Sequence, residues 1–327
     1  MRSMVEQQLA CLESYFAHEN TYDVLVTTND QRPFEILTAY QQRSGHRFAL
    51  RFVSRDDLRE VFSTTEPRLN NTPCVRTIFS KFFPVLRREA EQIVHVDFDT
   101  MFMAKIDLTP LFVSDITLVN ANQFMVQAQR WEPCEIEAEF FRVSYPVEPA
   151  CNWINSGVFA VQRKGFQLLA DEIAHYLDHL ERATRLGLQR HTDEVIMNAL
   201  AVREPDAVKV IPDYGYNFLA YFLKHDPSWT TSAQIVHFHS LKPDRFWYRD
   251  GKFTHRCADD EVQLKRMNED LYLAVLIWFR HFHAACRGLP FLFPLLEAIP
   301  AGVVERELAS RLASRSDRAR AESRGFS

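Results

Sequence analysis

An apolar strand that ends in two carboxylates constrains this chain more than any other stretch. In Gln92–Phe102, QIVHVDFDTMF, residues Ile93, Val94 and Val96 have the character of a buried strand, and Asp97 and Asp99 close it. Residues two apart in a strand face the same side, so the two acids converge while Phe98 points the other way into the core. A carboxylate withdrawn from water without a partner costs several kcal/mol or takes up a proton. Compensation has three sources: bulk water at the strand end, a partner Arg or Lys, or a cation brought in from outside. Open α/β sheets bind ligands at the carboxyl ends of their strands, and the pair belongs at such an end.

The surrounding pattern fits an α/β chain. Residues 22–28, YDVLVTT, read as a first buried strand, NDQRP as a loop, Phe34–Gln42 as a helix and Arg47–Val53 as a second strand. A β-α-β opening of this kind lays its strands parallel. A helical stretch at Val75–Glu91, interrupted by Pro84, leads into the acidic strand. Further strands are expected at Ile116–Asn120, Gly157–Gln162, Val208–Ile211 and Gln234–Phe238, with helices at Phe166–Arg182 and Asp193–Ala201. The Pro-rich region Gln127–Asn152 has no readable period.

The chain has 327 residues, 46% of them hydrophobic, enough for one large domain or one and a half. A net charge of −5 argues against attraction of the whole surface to nucleic acid. The six cysteines, Cys11, Cys74, Cys134, Cys151, Cys257 and Cys286, include no CxxC pair, so reduced thiols are expected rather than a zinc site or a disulfide framework. The start, MRSMVEQQLACLESYF, sets Val5, Leu9, Leu12 and Phe16 on one helical face and carries Glu6 and Glu13, unlike a signal peptide. No apolar run reaches the roughly 18–20 residues that span a bilayer. Only 9 glycines occur, and neither GxGxxG nor GxxxxGK[ST] is among their patterns. A bound nucleotide would therefore have its phosphates held another way, and a metal is the obvious means.

Hard divalent cations prefer carboxylate oxygen and commonly complete their shell with substrate phosphates, so Asp97 and Asp99 are candidate ligands. A DxD alone is a weak signal, since many strand ends carry two solvated acids. Five short stretches give it company. VTTND (Val26–Asp30), HVDFDTMF around the acids, INSGVFAV (Ile154–Val161), TDEVIMN (Thr192–Asn198) and IVHFHSLKP (Ile235–Pro243) follow one another in the chain. Together they resemble, over roughly residues 22–245, the retaining glycosyltransferases of the glycogenin and lipopolysaccharide galactosyltransferase group, family eight.

The resemblance implies a GT-A fold: a single Rossmann-like, mainly parallel central sheet flanked by helices, spanning residues 1–255. A helical C-terminal extension over 256–327 completes it. It also implies Mn2+ (or Mg2+) held by Asp97, Asp99 and His237, with His239 as the neighbouring alternative. Thr27, Thr28, Asn29 and Arg32 would bind the nucleoside, and Lys81 and Lys242 would face the diphosphate. Asn155, Ser156, Asp193 and Glu194 would surround the sugar, with Asn198 nearby. The implied reaction moves a hexose or N-acetylhexosamine from a nucleotide sugar, UDP-linked by expectation, to a glycan, lipid-linked or other hydroxyl acceptor.

Plainer readings stand beside these. His237 is otherwise a structural histidine at a strand end, and Asn155–Gly157 an ordinary turn. Thr192 is a good N-cap, and Asp193 and Glu194 suit the positive end of a helix dipole. Three departures from the family pattern matter. Glu194 stands where Gln is usual, so it is a stabiliser of positive charge, a nucleophile or a cap. Ser240 takes a Gly position, and His237 to Lys242 is one residue short. Gln31 and Arg32 replace an aromatic residue, which keeps GDP as an alternative to UDP.

After Arg249, Glu261–Phe282 reads as a helix with Leu264, Met267, Leu271, Val275, Trp278 and Phe282 in one stripe. LPFLFPLLEAIPAGVV and the Arg-rich tail then read either as a packed helix with a frayed end or as a peripheral membrane, oligomer or acceptor-docking surface. A cytoplasmic protein, peripheral at the inner face of a membrane in the second case, is the expectation. The rival readings are a sugar nucleotidyltransferase, against which the missing Gly-rich N-terminal loop counts, and a catalytically silent nucleotide- or glycan-binding module.

Overall fold

In the computed structural model, which describes residues 2–54, 56, 57, 60, 81–120, 135–145, 154–188, 192–226, 228–239, 243, 246–249, 252–255, 268–291 and 293–325, helices alternate with short strands. Apolar residues at helical spacing build α1 (Arg2–Ala17), which buries Val5, Leu9 and Leu12. β1 (Leu25–Thr28) leads to α2 (Gln31–Ser44), capped by Asp30, whose side chain accepts from the Arg32 N–H. Gly45, at φ 70°, ends α2 in the left-handed conformation that glycine takes without strain. β2 (Ala49–Phe52) returns parallel to β1, Leu25 opposite Ala49, which is the β-α-β opening expected from the sequence.

Residues 81–86 form a helical turn, and the acidic stretch follows as β3 (Gln92–Val96) and β4 (Thr100–Phe102). Next come β5 (Ile116–Val119), α3 (Glu135–Ser144), β6 (Val158–Gln162), α4 (Gly165–Asp178), α5 (Leu180–Arg185), α6 (Thr192–Arg203) and β7 (Val208–Ile211). β8 (Phe218–Leu219), α7 (Trp229–Ser232), β9 (Ile235–His237) and the hairpin β10 (Phe246–Arg249) and β11 (Lys252–His255) precede the last helices. These are α8 (Glu269–Cys286), α9 (Pro294–Ala298) and α10 (Ala301–Gly325).

The class is α/β with mixed sheets, compatible with a Rossmann-like arrangement, but the described strands do not form one mainly parallel sheet. The central ladder has the order β3-β6-β5-β7, with β6 antiparallel to both neighbours and β5 parallel to β7. A second ladder, β4-β9-β8, pairs β4 antiparallel and β8 parallel to β9, and β1-β2 forms a ladder of its own. β3, β5 and β7 thus share a direction, with one reversed strand between β3 and β5. The reversal has a geometric consequence. An antiparallel neighbour begins where β3 ends, so the turn before β6 lies at the same rim as Asp97.

Two large cores flank these ladders. In one, α4 and α6 cover the central ladder with Leu169, Ile173, Val195 and Ile196 packed on Phe159 and Val161. In the other, α8 joins α1 and α2: Trp278 stacks on Phe282 at 5.2 Å and shares a core with Leu9 and Tyr40. The stripe read from the sequence is buried at Leu271, Val275, Trp278 and Phe282, whereas Leu264 and Met267 lie outside the described residues. Asn268 caps α8 by accepting from the Leu271 N–H at 3.0 Å. The helix expected over Phe166–Arg182 breaks at His179 into α4 and α5. Phe293, Leu295, Ile299, Val304 and Leu308 are buried in the second core, so these apolar residues of the C-terminal segment are used internally. No described helix is long and apolar enough to cross a membrane.

The Trp278 indole N–H is buried without a hydrogen-bond partner among the described residues. Trp278→Ala is expected to cost about 3–5 kcal/mol, whereas Trp278→Phe, which deletes that N–H, costs less than about 1.5 kcal/mol. Urea denaturation of the two variants beside the parent checks the order.

Candidate functional site

Each half of the acidic stretch is held by a different partner strand. The Asp97 N–H donates to Gly157 O at 2.8 Å, prolonging the β3·β6 pairing as far as the first acid. Thr100 lies opposite His237, and the Phe238 N–H donates to Asp99 O at 2.9 Å, which fixes the second acid against β9. The seam between these two ladders gathers Asp97, Asp99 and His237, whose ligand atoms lie within 4.8 Å of one another. His237 Nε2 is 3.3 Å from Asp99 Oδ1 and 3.8 Å from Asp97 Oδ2. Two carboxylate oxygens and one imidazole nitrogen form a hard, anionic donor set, so this group could hold a metal ion.

Asp97 also has internal compensation. Lys81 Nζ donates to Asp97 Oδ2 at 3.1 Å, to Ser156 Oγ at 3.0 Å and to Asp193 Oδ2. His95 Nε2 lies 2.9 Å from Asp97 Oδ1, and its ring stacks on Phe159. Burial pushes the Asp97 carboxyl up, but Lys81 and His95 outweigh it and hold the group below the usual carboxylate range. Asp193 behaves alike: burial raises it, and Lys81 with the Ser156 hydroxyl brings it down. Burial lowers the Lys81 ammonium, and the two acids more than reverse that. Lys81 therefore faces two acids of the chain itself.

The turn before β6 and the first turn of α6 meet beside this pair. Ser156 Oγ donates to Asp193 Oδ2 at 2.5 Å, and Asn155 Nδ2 to Glu194 Oε1 at 3.0 Å. Asn198 clamps the two elements, accepting from the Ile154 N–H at 2.9 Å and donating to Ile154 O at 3.0 Å. It acts as a brace behind the site. Thr192 starts α6, and its hydroxyl lies 3.2 Å from Tyr176 Oη. Gly157 is required by close approach: a Cβ there would stand 2.3 Å from His237 Cε1.

These groups line a cleft of about 1420 Å³ between the edges of β1 and β3. Thr27, Thr28, Asn29, Lys81, Asp97, Asp99, Asn155, Ser156, Asp193, Glu194 and His237 all line it. Arg32 does not: it is exposed at the start of α2, and Asp30 and Gln31 line the rim instead. Lys242 lies outside the described residues. His239 reaches the cleft at φ 50° but contributes no atom to the ligand group. Two neighbours escaped the sequence reading. His95 stands two residues before Asp97, so spacing alone would have found it. Asn217, in YGYNFLA, has no local signature; its Oδ1 lies 3.0 Å from His237 Nδ1.

Gly157→Ala is expected to displace the His237 ring and to cost about 1–3 kcal/mol from overpacking. Urea denaturation reads the cost, and the His237 imidazole resonances in NMR read the displacement. Lys81→Met leaves Asp97 and Asp193 buried without their cation, at about 3–5 kcal/mol in metal-free buffer. Both carboxyls titrate below their unfolded values, so their contribution is complete above about pH 4 and fades as pH falls through the lower folded values. Lys81→Met should flatten that acid limb in a pH series of melting curves. No protein-family model matches this chain, and a search of curated proteins gives no match either.

Proposed function

We propose that this chain is a metal-dependent retaining glycosyltransferase of the GT-A type, similar to family eight. It would move a hexose or N-acetylhexosamine from a UDP-sugar to a hydroxyl acceptor. One observation supports the reading most: stretches far apart in sequence, VTTN, DFD, NSG, TDE and HFH, converge on one cleft whose floor is a two-carboxylate, one-imidazole ligand group.

Asp97, Asp99 and His237 would hold Mn2+ (or Mg2+), which supplies positive charge to the oxygens of a nucleoside diphosphate leaving group. The remaining work falls to the chain. Thr28 and Asn29 line the β1 wall of the cleft, where a nucleoside would lie. Asn155, Asp193 and Glu194 present amide and carboxylate groups to sugar hydroxyls. Glu194, held by the Asn155 amide, offers a negative charge to the anomeric carbon as the bond to the diphosphate loosens. Lys81 keeps Asp97 and Asp193 ionised and oriented, which suits a site where charge must stand ready before substrate arrives.

Incubation with individual UDP- and GDP-sugars, with and without Mn2+, tests this reading. Mn2+-dependent release of nucleoside diphosphate is expected from a UDP-sugar, with loss of turnover in Asp99→Asn. Sugar 1-phosphate formed only when pyrophosphate is added would identify a nucleotidyltransferase, and a donor bound without turnover a silent module.

A further inference from the structure

The hydrogen-bond donors and acceptors around His237 can run in one direction only. The Gly157 N–H can only donate, and it meets Asn155 Oδ1 at 3.0 Å. That orients the Asn155 amide, so its Nδ2 faces Glu194 Oε1 at 3.0 Å. A carbonyl oxygen has two lone pairs, and the second Asn155 Oδ1 lone pair receives Asn217 Nδ2 at 3.2 Å. Asn217 must then turn its own Oδ1 to His237 Nδ1, 3.0 Å away. An amide oxygen accepts, so Nδ1 of His237 carries a proton, and in the neutral ring it is Nε2 that keeps the lone pair. That lone pair points at the two acids, 3.3 Å from Asp99 Oδ1.

We propose that Asn217 is a positioning residue for the cation site: through a chain oriented by the Gly157 N–H, it fixes the tautomer of His237 that leaves Nε2 free to ligate. This rests on the reading that Asp97, Asp99 and His237 hold a divalent cation. Asn217 is 0% exposed and immediately precedes β8, whose Leu219 stands opposite His237 on β9. The strand pairing that places the ligand thus also places the residue that orients it. Outer partners of a metal-bound histidine act by holding its tautomer and ring orientation.

Two variants separate positioning from packing. Asn217→Asp keeps an oxygen toward Nδ1, whereas Asn217→Leu removes it at similar volume. The His237 tautomer is read in the metal-free full chain by NMR of 15N-labelled histidine, with His237→Gln assigning the signal. Mn2+ binding is followed separately by electron paramagnetic resonance. Expected are an Nδ1–H ring in the parent and in Asn217→Asp, loss of that preference in Asn217→Leu, and Mn2+ affinity weakened about 10–100-fold in Asn217→Leu alone. A parent ring protonated on Nε2 overturns the proposal without recourse to any variant. So does Asn217→Leu with the tautomer and the affinity unchanged. Absence of Mn2+ binding by the parent overturns the cation reading instead, and the metal-free tautomer measurement keeps the two failures apart.

Discussion

The ammonium of Lys81 is the charge on which the site's order depends. It lies between Asp97 at the end of β3 and Asp193 at the start of α6, and it donates to Ser156 in the turn that joins them. Two unit charges about 4 Å apart attract by roughly 4 kcal/mol at an effective dielectric of about 20. Withdrawing each ion from water costs several kcal/mol, so the network adds little net stability. What it supplies is geometry. Without Lys81, the end of β3 and the start of α6 would bring two buried negative charges together. With it, Asp97 is compensated on one side, and on its other side lie Asp99 and His237, with which it forms a group that could hold a metal ion.

Part of this was legible in the sequence because it depends on short periods. The helical stripe from Leu271 to Phe282 marked α8 as a core helix, whereas strand period does not account for the acids: Asp97 to Asp99 turn between β3 and β4, and Phe98, expected in the core, is part-buried and lines the cleft beside them. The partner of Asp97 was not legible, since a lysine sixteen residues upstream carries no sign of which carboxylate it will meet. Sheet direction was equally hidden. Nothing local in VFAVQ tells whether it runs with or against QIVHV, and the reversed course of β6 follows from where the chain re-enters the sheet. His95 was within reach of a period-two argument from Asp97. Asn217 was not: its part depends on β8, a strand of two residues with no readable period, lying beside β9.

The site is also a product of what each element does away from it. Gly157 lacks a side chain because the His237 ring rests against it, and Asn198 uses both its amide oxygen and its amide nitrogen to hold the Ile154 turn to α6. Such residues touch no ligand in the proposed reaction, yet they leave the functional groups few alternative positions. Preorganisation here is mostly the work of backbone amides and buried carboxamides, with the charged groups placed upon them.

The pairing of β4 with β9 stores chemical identity in strand register. His237 stands opposite Thr100, between Val236 and Phe238. A slip of one residue would bring a valine or a phenylalanine to the acids and turn the imidazole to the other face of the ladder. The apolar side chains on either side of His237, both buried, make that slip costly by exposing core surface. The buried apolar residues of IVHF therefore serve as proofreading: the same burial that selects the correct alignment during folding selects which side chain the two carboxylates receive.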